Sequence, residues 1–191
     1  MLRHIRPALV MLTLFTLLTG LAYPLLMVGV GEAFFKHQAE GSPIVLNGKV
    51  IGSKLIGQGF SRPEYFWGRP SAAGKNGYDA RSSSGSNLGP TAKALADRIA
   101  IDAKKFAAPV GSIPQDLLTA SASGLDPDIS LAAARFQVAR VAAARELPVG
   151  SVIRLIERAA RRPSLGFIGE PHVNVLQLNL ALDALSRTPP R

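Results

Sequence analysis

An uncharged apolar segment near the N-terminus constrains the fold more than any other feature of this chain. From residue 7 to residue 31 there is no charged side chain. A transmembrane helix needs about 20 consecutive apolar residues, and it tolerates residues such as Gly20 and Pro24. A cleaved signal peptide has a shorter apolar core of about 7–15 residues and a small-residue cleavage site, and this segment fits neither. We therefore predict a retained transmembrane helix over residues 7–31, behind an N-terminal tail of residues 1–6.

The charges that flank this segment predict its orientation. Arg3 and Arg6 precede it with no acid beside them, whereas residues 32–40 carry charges of both signs. By the positive-inside rule, the N-terminus is cytoplasmic. Residues 32–191 then form an extracytoplasmic domain, which is periplasmic where an outer membrane exists. The chain is predicted to be a single-pass protein of the inner (cell) membrane.

Two features after the membrane segment predict β-structure. Asn47 and Gly48 separate two β-branched runs, as a type I′ hairpin turn requires. The apolar run Leu117–Ala120 predicts a short buried strand, which leads into a tight loop where Gly124 takes a positive φ. Between these features, residues 56–90 are rich in Gly, Ser, Pro and Asn. They predict a long loop of the kind that is functional or bound to a partner.

The sequence predicts four helices in the same domain, three of them from helical periodicity. Pro90 suits the first turn of one helix, Ser130 suits the N-cap of a second, and Pro148 precedes a third. Residues 173–185 are ambiguous between strand and helix, and their Leu and Ala content favours helix. Apolar side chains recur at helical spacing in the first three segments: Leu95, Ile99 and Phe106; Leu131, Ala134, Val138, Val141 and Ala142; Val152, Leu155, Ile156 and Ala159. The predicted fold class is α+β, with a single N-terminal transmembrane helix followed by one small soluble α+β domain.

Serine-rich segments make hydrolysis a function to test. A serine nucleophile needs an adjacent base that a third group orients. The chain has three histidines, of which His4 lies in the tail and His37 follows the membrane segment, and it has no G-x-S-x-G motif. A membrane-anchored serine hydrolase would depend on His172 and stays open as an alternative. We predict no catalytic residue, and we interpret residues 117–130 as structural, with a turn at Asp126–Asp128 and a helix cap at its end.

Metal and nucleic-acid binding find little support in the residue types present. There is no cysteine and no H-x-x-x-H pair, and the acids that flank Pro127 are typical of a turn, so no metal site is predicted. The net charge of +9 suits nucleic acid or anionic lipid head groups, yet no nucleic-acid-binding signature occurs. We expect contact with membrane lipid and none with nucleic acid. A basic ligand-binding domain stays open as an alternative.

One loop could present its backbone N–H groups to an anion. The sequence SSSGSNLGP at residues 82–90 precedes the helix predicted near Pro90, and a helix N-terminus attracts negative charge. If a nucleotide binds, the best-placed polar side chains are Ser86 and Asn87 in this loop. The next are Gln137 and Arg140, on the helix predicted after Ser130.

Several segments in collinear order resemble one family, the C subunit of the bacterial Kdp potassium-transporting P-type ATPase complex. They cover essentially the whole chain, and together they are far more specific than any one of them. The segments are RPAL (6–9), TGLAYPLL (19–26), GSKLIGQGF (52–60), YFWGRPSA (65–72), GSNLGP (85–90), LLTASASGLDPDIS (117–130), RVAAAR (140–145) and VNVLQLNLALD (173–183).

The resemblance implies a non-catalytic accessory subunit of a high-affinity, ATP-driven potassium uptake complex. Its implied partners are a P-type ATPase subunit, which hydrolyses ATP, and a channel-like subunit, which carries K⁺. The chain itself has neither a D-K-T-G phosphorylation motif nor a T-V-G-Y-G filter sequence. The family's C subunit is regarded as stabilising the assembly and as a catalytic chaperone that raises the ATP affinity of the hydrolysing subunit. The resemblance implies no tightly bound cofactor, and contact with ATP only in a ternary complex with that subunit.

The predicted topology separates these two roles. ATP is a cytoplasmic ligand, whereas the flanking charges place residues 32–191 outside. A nucleotide site on that domain would be empty. The orientation therefore favours a role in assembly or in shaping the entrance for K⁺. Since the domain is basic, it would not concentrate K⁺ by electrostatic attraction.

Overall fold

The computed structural model describes residues 2–187, which form two compact units. The first unit ends at Ile51 and the second begins at Gly52. The predicted fold class is confirmed: one long apolar helix near the N-terminus is followed by a small domain of helices and short sheets.

The first unit is dominated by a helix that runs from Ile5 to Phe34. It is the one helix within residues 2–187 that is long and apolar enough to cross a membrane. It consists of α1 (Ile5–Leu17), a π-helical turn (Leu18–Ala22) and α2 (Tyr23–Phe34). The wide turn lies just ahead of Pro24, which has no N–H and whose ring conflicts with the carbonyl four residues earlier. The helix therefore accommodates the proline by widening.

A short helix and a hairpin follow in the same unit. The backbone breaks at Phe35, with φ −135°, before α3 (Lys36–Ala39). Strands β1 (Pro43–Leu46) and β2 (Lys49–Ser53) then pair in a two-stranded sheet, and β2 continues past the boundary between the units. Asn47 and Gly48 have φ values of 51° and 75°. The predicted type I′ turn is confirmed.

The second unit packs five helices around a minimal sheet. Its elements are α4 (Lys93–Lys104), β3 (Asp128–Ser130), α5 (Leu131–Phe136), α6 (Val138–Arg145), α7 (Val149–Ala159), β4 (His172–Asn174) and α8 (Val175–Arg187). Strands β3 and β4 are antiparallel, with Ile129 opposite Val173 and both side chains buried. The core is completed by buried apolar side chains from the helices: Ala133, Ala134, Val138, Val141, Ala142, Val152, Ile156, Leu178 and Leu182. Most positions of the predicted stripes therefore lie in or against this core.

Several local predictions are confirmed. Ser130 caps α5, since its Oγ accepts a hydrogen bond from the Ala133 N–H at 3.0 Å. Gly124 has a φ of 67°. The long loop predicted over residues 56–90 contains neither helix nor strand. The cap and the positive φ share a cause, because each depends on one residue type that suits one backbone conformation.

The strand predicted at Leu117–Ala120 is wrong. A 3₁₀ turn (Gln115–Leu117) occupies its start, and a loop follows. The Leu117 N–H donates to the Pro114 carbonyl, and those of Leu118 and Thr119 donate to the Gln115 carbonyl, each at 3.0 Å. Pro114 and this local bonding satisfy the backbone without a partner strand, while Leu117 and Leu118 are still buried. An apolar run of this length does not distinguish a strand from a buried turn.

Two helix starts also differ from the prediction. The helix expected at Pro90 begins at Lys93, behind an extended Ala92. Residues 173 and 174, expected to be helical, belong to β4, and α8 begins at Val175. The Asn174 side chain accounts for this boundary, since its Oδ1 accepts from the Gln177 N–H at 3.1 Å as an N-cap does.

Candidate functional site

Two buried amide side chains hold the loop around Phe66 and Trp67. The Asn179 amide pairs with both backbone groups of Phe66, accepting from N–H at 2.9 Å and donating to C=O at 3.0 Å. The Gln137 amide pairs with Trp67 in the same way, at 2.8 Å and 3.1 Å. Both amides are about 98% buried or more, and Phe66 is fully buried. Irregular backbone thus enters the core with its polar groups satisfied. We call residues 62–69 the clamped loop.

Two arginines on α6 add to this attachment. Arg140 lies over the Trp67 ring at 3.7 Å and donates to the carbonyls of Pro63 and Tyr65 and, at 2.6 Å, to Oε1 of Gln137. Burial lowers the pKa of Arg140 to about 10. Arg145 likewise donates a hydrogen bond to a carbonyl of the loop, and its side chain also forms an ion pair with α8. The guanidinium groups act here as structural donors to loop carbonyls.

The clamped loop forms one wall of a cleft of about 460 Å³ in the second unit. Its aromatic lining consists of Phe60, Trp67, Tyr78 and Phe106, and its charged lining of Arg69, Arg98, Asp102 and Lys105. The Trp67 and Phe106 ring centroids lie 5.4 Å apart. A cleft with apolar walls and a few converging polar groups is the usual form of a ligand site.

The charged groups of the cleft leave it net positive. Asp102 has a side chain only 9% exposed, and it pairs with Lys105 at 2.5 Å and with Nε of Arg98 at 3.8 Å. Nη2 of Arg98 is buried and has no hydrogen-bond partner within residues 2–187. Arg69 is paired with Asp126, whereas Arg98 and Lys105 share Asp102, so the cleft keeps one excess positive charge and suits an anionic group. Spacings of four and three residues along α4 and its C-cap residue, Lys105, bring Arg98, Asp102 and Lys105 together.

Tyr78 and Arg69 are held together in the lining of the cleft. The Tyr78 hydroxyl donates to the Arg69 carbonyl at 2.5 Å, and Nη1 of Arg69 pairs with Asp126 at 3.0 Å. Burial raises the pKa of Tyr78 to about 12; the charge of Asp126 adds to this effect and that of Arg69 opposes it. The phenol is therefore a neutral donor at physiological pH.

The serine-rich segments bond to backbone. The Oγ atoms of Ser121 and Ser123 accept from Gly124 and Leu125 at 2.9 Å and 3.1 Å. Ser71 and Ser83 donate to the carbonyls of Gly124 and Ser123. A Cβ on Gly124 would lie 2.6 Å from the Ser84 carbonyl oxygen, so the two loops meet too closely for any other residue. These bonds are what the structural interpretation of residues 117–130 predicts for the serines, although the strand in that interpretation is absent.

The four side chains predicted to meet a nucleotide fall into two groups. Gln137 and Arg140 contact each other, and both hold the clamped loop. Ser86 and Asn87 lie in the loop before α4, outside the lining of the cleft, and no hydrogen bond joins them to the other pair within residues 2–187. The sequence prediction missed Arg98, Asp102 and Lys105, although their spacing on one predicted helix was a usable signal.

His172 contacts a backbone carbonyl and lies near one carboxylate. Its Nδ1 is 2.8 Å from the Glu170 carbonyl oxygen and its Nε2 is 3.9 Å from the Asp128 carboxylate. Ser130, which faces it across the sheet, uses its Oγ as the cap of α5. In the described part of the chain no hydrogen bond joins His172 to a serine, and no group of three His, Cys, Asp or Glu side chains is arranged to hold a metal. The expected turn is present, since Oδ1 of Asp126 accepts from the Asp128 N–H.

Comparison with known proteins agrees with the collinear segments. The model of the family described as "K+-transporting ATPase, c chain" matches residues 5–184. A protein from Gemmatimonas aurantiaca named "Potassium-transporting ATPase KdpC subunit" is 56% identical over 193 residues, covering 100% of this chain and 97% of that protein. Proteins of the same name from Caulobacter vibrioides and Serratia proteamaculans are 58% and 54% identical, covering 100% and 95% of this chain and 96% and 98% of their own lengths. The chain belongs to the KdpC family of potassium-transporting ATPase subunits.

Proposed function

We propose that this chain is a non-catalytic accessory subunit that stabilises the assembly of an ATP-driven potassium uptake complex. The observation that carries the proposal is that the polar side chains of the domain hold its own backbone in place. The amides, arginines and serines that could serve chemistry bond to the chain's own loops. A rigid domain of this kind offers surfaces to partners, and it holds no serine–histidine pair within residues 2–187.

The proposed partners are the P-type ATPase subunit and the channel-like subunit of the same complex. The proposed location is the inner membrane, with residues 32–191 outside. The Arg3 and Arg6 flank of the apolar helix supports this orientation.

Since the chain has no cysteine, an Arg81→Cys variant places a single thiol at a side chain that is 93% exposed. We expect a membrane-impermeant maleimide to label it in intact cells. Labelling only after lysis would reverse the orientation.

The chaperone effect on ATP affinity is proposed to follow from assembly. With the domain outside, the chain acts on the hydrolysing subunit by holding the complex together. Ser86, Asn87, Gln137 and Arg140 stay predicted nucleotide contacts. For Gln137 and Arg140, binding a nucleotide would compete with the bonds that hold the clamped loop.

The test is to purify the complex with and without this chain. We expect omission to lower both the recovery of the two larger subunits together and the K⁺-stimulated ATPase activity. At equal amounts of assembled complex, the KM for ATP should be the same whether or not this chain is present. A KM that rises without any loss of assembly would favour direct nucleotide handling over assembly. A complex that assembles and pumps K⁺ normally without the chain would reject the proposal.

The net positive cleft supports a second candidate function, the binding of an anionic ligand. Lys105 lines the cleft, whereas its neighbour Lys104 is exposed and does not. We expect Lys105→Ala to weaken binding of ATP or inorganic phosphate to the full chain by about tenfold, as the loss of a charge-assisted contact does. Lys104→Ala is the matched control. Equal binding by both variants, measured calorimetrically, would remove the cleft as the site.

A further inference from the structure

A small projection between α7 and β4 carries three apolar side chains. Arg161 and His172 bond to each other through their backbones at its base, at 2.9 Å and 3.2 Å. Ser164 and Ile168 exchange two further backbone hydrogen bonds, both of 2.9 Å. We call residues 165–168 the apolar tip. Its backbone is thus held by two successive bridges.

The apolar tip is exposed to an unusual degree. Leu165 is 83% exposed, Phe167 77% and Ile168 54%. Elsewhere in the second unit, exposed large apolar side chains such as Leu55 and Ile101 are single, and they are less exposed than Leu165 and Phe167. Isolated exposed apolar residues need no explanation, whereas a group on a projection indicates an interaction site.

The backbone conformation at position 165 does not favour leucine. Leu165 has a φ of 55° and Gly166 a φ of 84°, and the Phe167 N–H donates to the Ser164 carbonyl at 3.3 Å. This is a type I′ turn, whose first central position favours Asn, Asp or Gly. A bulky aliphatic residue at positive φ is a backbone outlier. Leu165 therefore gains neither burial nor a favourable conformation within the chain.

The base of the tip is cationic. Arg158 and Arg162 are exposed, and their side chains make no ion pair or hydrogen bond within residues 2–187. Arg161 bonds to Gln177 at 3.2 Å, which leaves its charge unneutralised. Two exposed acids lie near the tip in the chain, Glu157, which is 4.0 Å from Arg135, and Glu170, and the three arginines outnumber them. A complementary surface would present an apolar pocket with carboxylates at its rim.

We propose that the apolar tip docks into an apolar, acid-rimmed pocket on another protein subunit of the same membrane complex. The proposal rests on the assembly role proposed above. The fixed turn favours a protein over a lipid surface, because fluid acyl chains accept apolar side chains in many orientations and gain nothing from a strained turn. A pocket needs one orientation, and a preorganised knob lowers the entropy cost of docking.

The test uses the full chain, co-expressed with the two larger subunits. Leu165→Asn places a favoured residue in the turn and removes the apolar knob. We expect it to raise the Tm of the isolated subunit by roughly 1–4 °C and to lower recovery of the partners by about tenfold. Phe167→Ser should lower recovery similarly with an unchanged Tm. Leu55→Asn, at a side chain 57% exposed outside the tip, is the matched control and should change neither.

Each other outcome overturns the proposal. If both tip variants recover the partners as well as wild type does, the tip is no interface although the assembly role stands. If wild type itself recovers no partner, the assembly role and the docking proposal both fail. A Phe167→Cys variant carrying an environment-sensitive dye distinguishes lipid. A blue shift in vesicles of phosphatidylcholine and phosphatidylglycerol without the partners would assign the tip to the membrane, whereas a shift that requires the partners supports docking.

Discussion

The clamped loop and the apolar tip are two irregular segments of the same unit. The clamped loop buries its apolar side chain, whereas the tip exposes its own. In the clamped loop Phe66 is fully buried, and side-chain amides satisfy its backbone. In the apolar tip Leu165 is 83% exposed, and its backbone is satisfied by the tip itself. The clamped loop contributes to the stability of the folded unit, whereas the apolar tip lowers that stability. Irregular backbone thus serves structure where the helices supply polar partners and is free for recognition where they do not.

The largest expected effect comes from breaking the clamp. Asn179→Ala leaves the buried N–H and C=O of Phe66 without partners, and each unsatisfied group costs about 1–3 kcal/mol. We expect the free energy of unfolding to fall by roughly 2–4 kcal/mol, which chemical denaturation in detergent would measure. Asn76→Ala, at an exposed residue, is the control and should change it by less than about 0.5 kcal/mol. A small effect of Asn179→Ala would mean that the loop does not depend on the clamp.

A smaller loss is expected from Arg140→Lys. Lysine keeps the charge but cannot both stack on Trp67 and donate to several carbonyls. We expect a loss of about 1–2 kcal/mol, discounted because the group is only partly buried. Arg154→Lys on α7 serves as the control, since its guanidinium donates only to the neighbouring Ser151 among residues 2–187. Unchanged stability together with a raised KM for ATP in the complex would instead favour the predicted nucleotide role of Arg140.

The protonation of Tyr78 tests whether its side chain is buried against the Arg69 carbonyl. Its pKa is raised from 10 to about 12, so folding favours the neutral phenol. Its contribution to stability is therefore complete below pH 10 and is lost as the pH rises from about 10 to 12. Ultraviolet titration of the folded chain should show a tyrosinate transition near pH 12 that Tyr78→Phe lacks. Identical titrations of the two proteins above pH 11 would contradict the burial of Tyr78.

Features that depend on one residue type could be predicted from the sequence, and those that depend on distant partners could not. The Asn47-Gly48 turn, the Ser130 cap and the positive φ of Gly124 are of the first kind. The strand predicted at Leu117–Ala120 failed because an apolar run does not reveal how its backbone bonds.

The candidate site was harder to predict for the same reason. Gln137 and Arg140 were predicted as nucleotide contacts, which stays a prediction, whereas the loop carbonyls and N–H groups that they bond to lie about seventy residues earlier in the chain. No local pattern joins the two segments. The apolar tip was missed altogether, since a single leucine at a turn position has significance only once its φ is known.

The smallest expected effect concerns the two type I′ turns. Asn47-Gly48 and Leu165-Gly166 have similar φ values, yet only the first has a residue that suits them. Asn47→Leu imposes the conformational cost of Leu165 on the first turn. We expect it to lower the local stability of the β1–β2 hairpin by about 0.5–1 kcal/mol, seen as faster amide hydrogen exchange there. Asn47→Gly is the control and should leave exchange nearly unchanged. If Asn47→Leu also has no effect, leucine is tolerated at this position without cost, and the exposure of the apolar tip alone must support its role in docking.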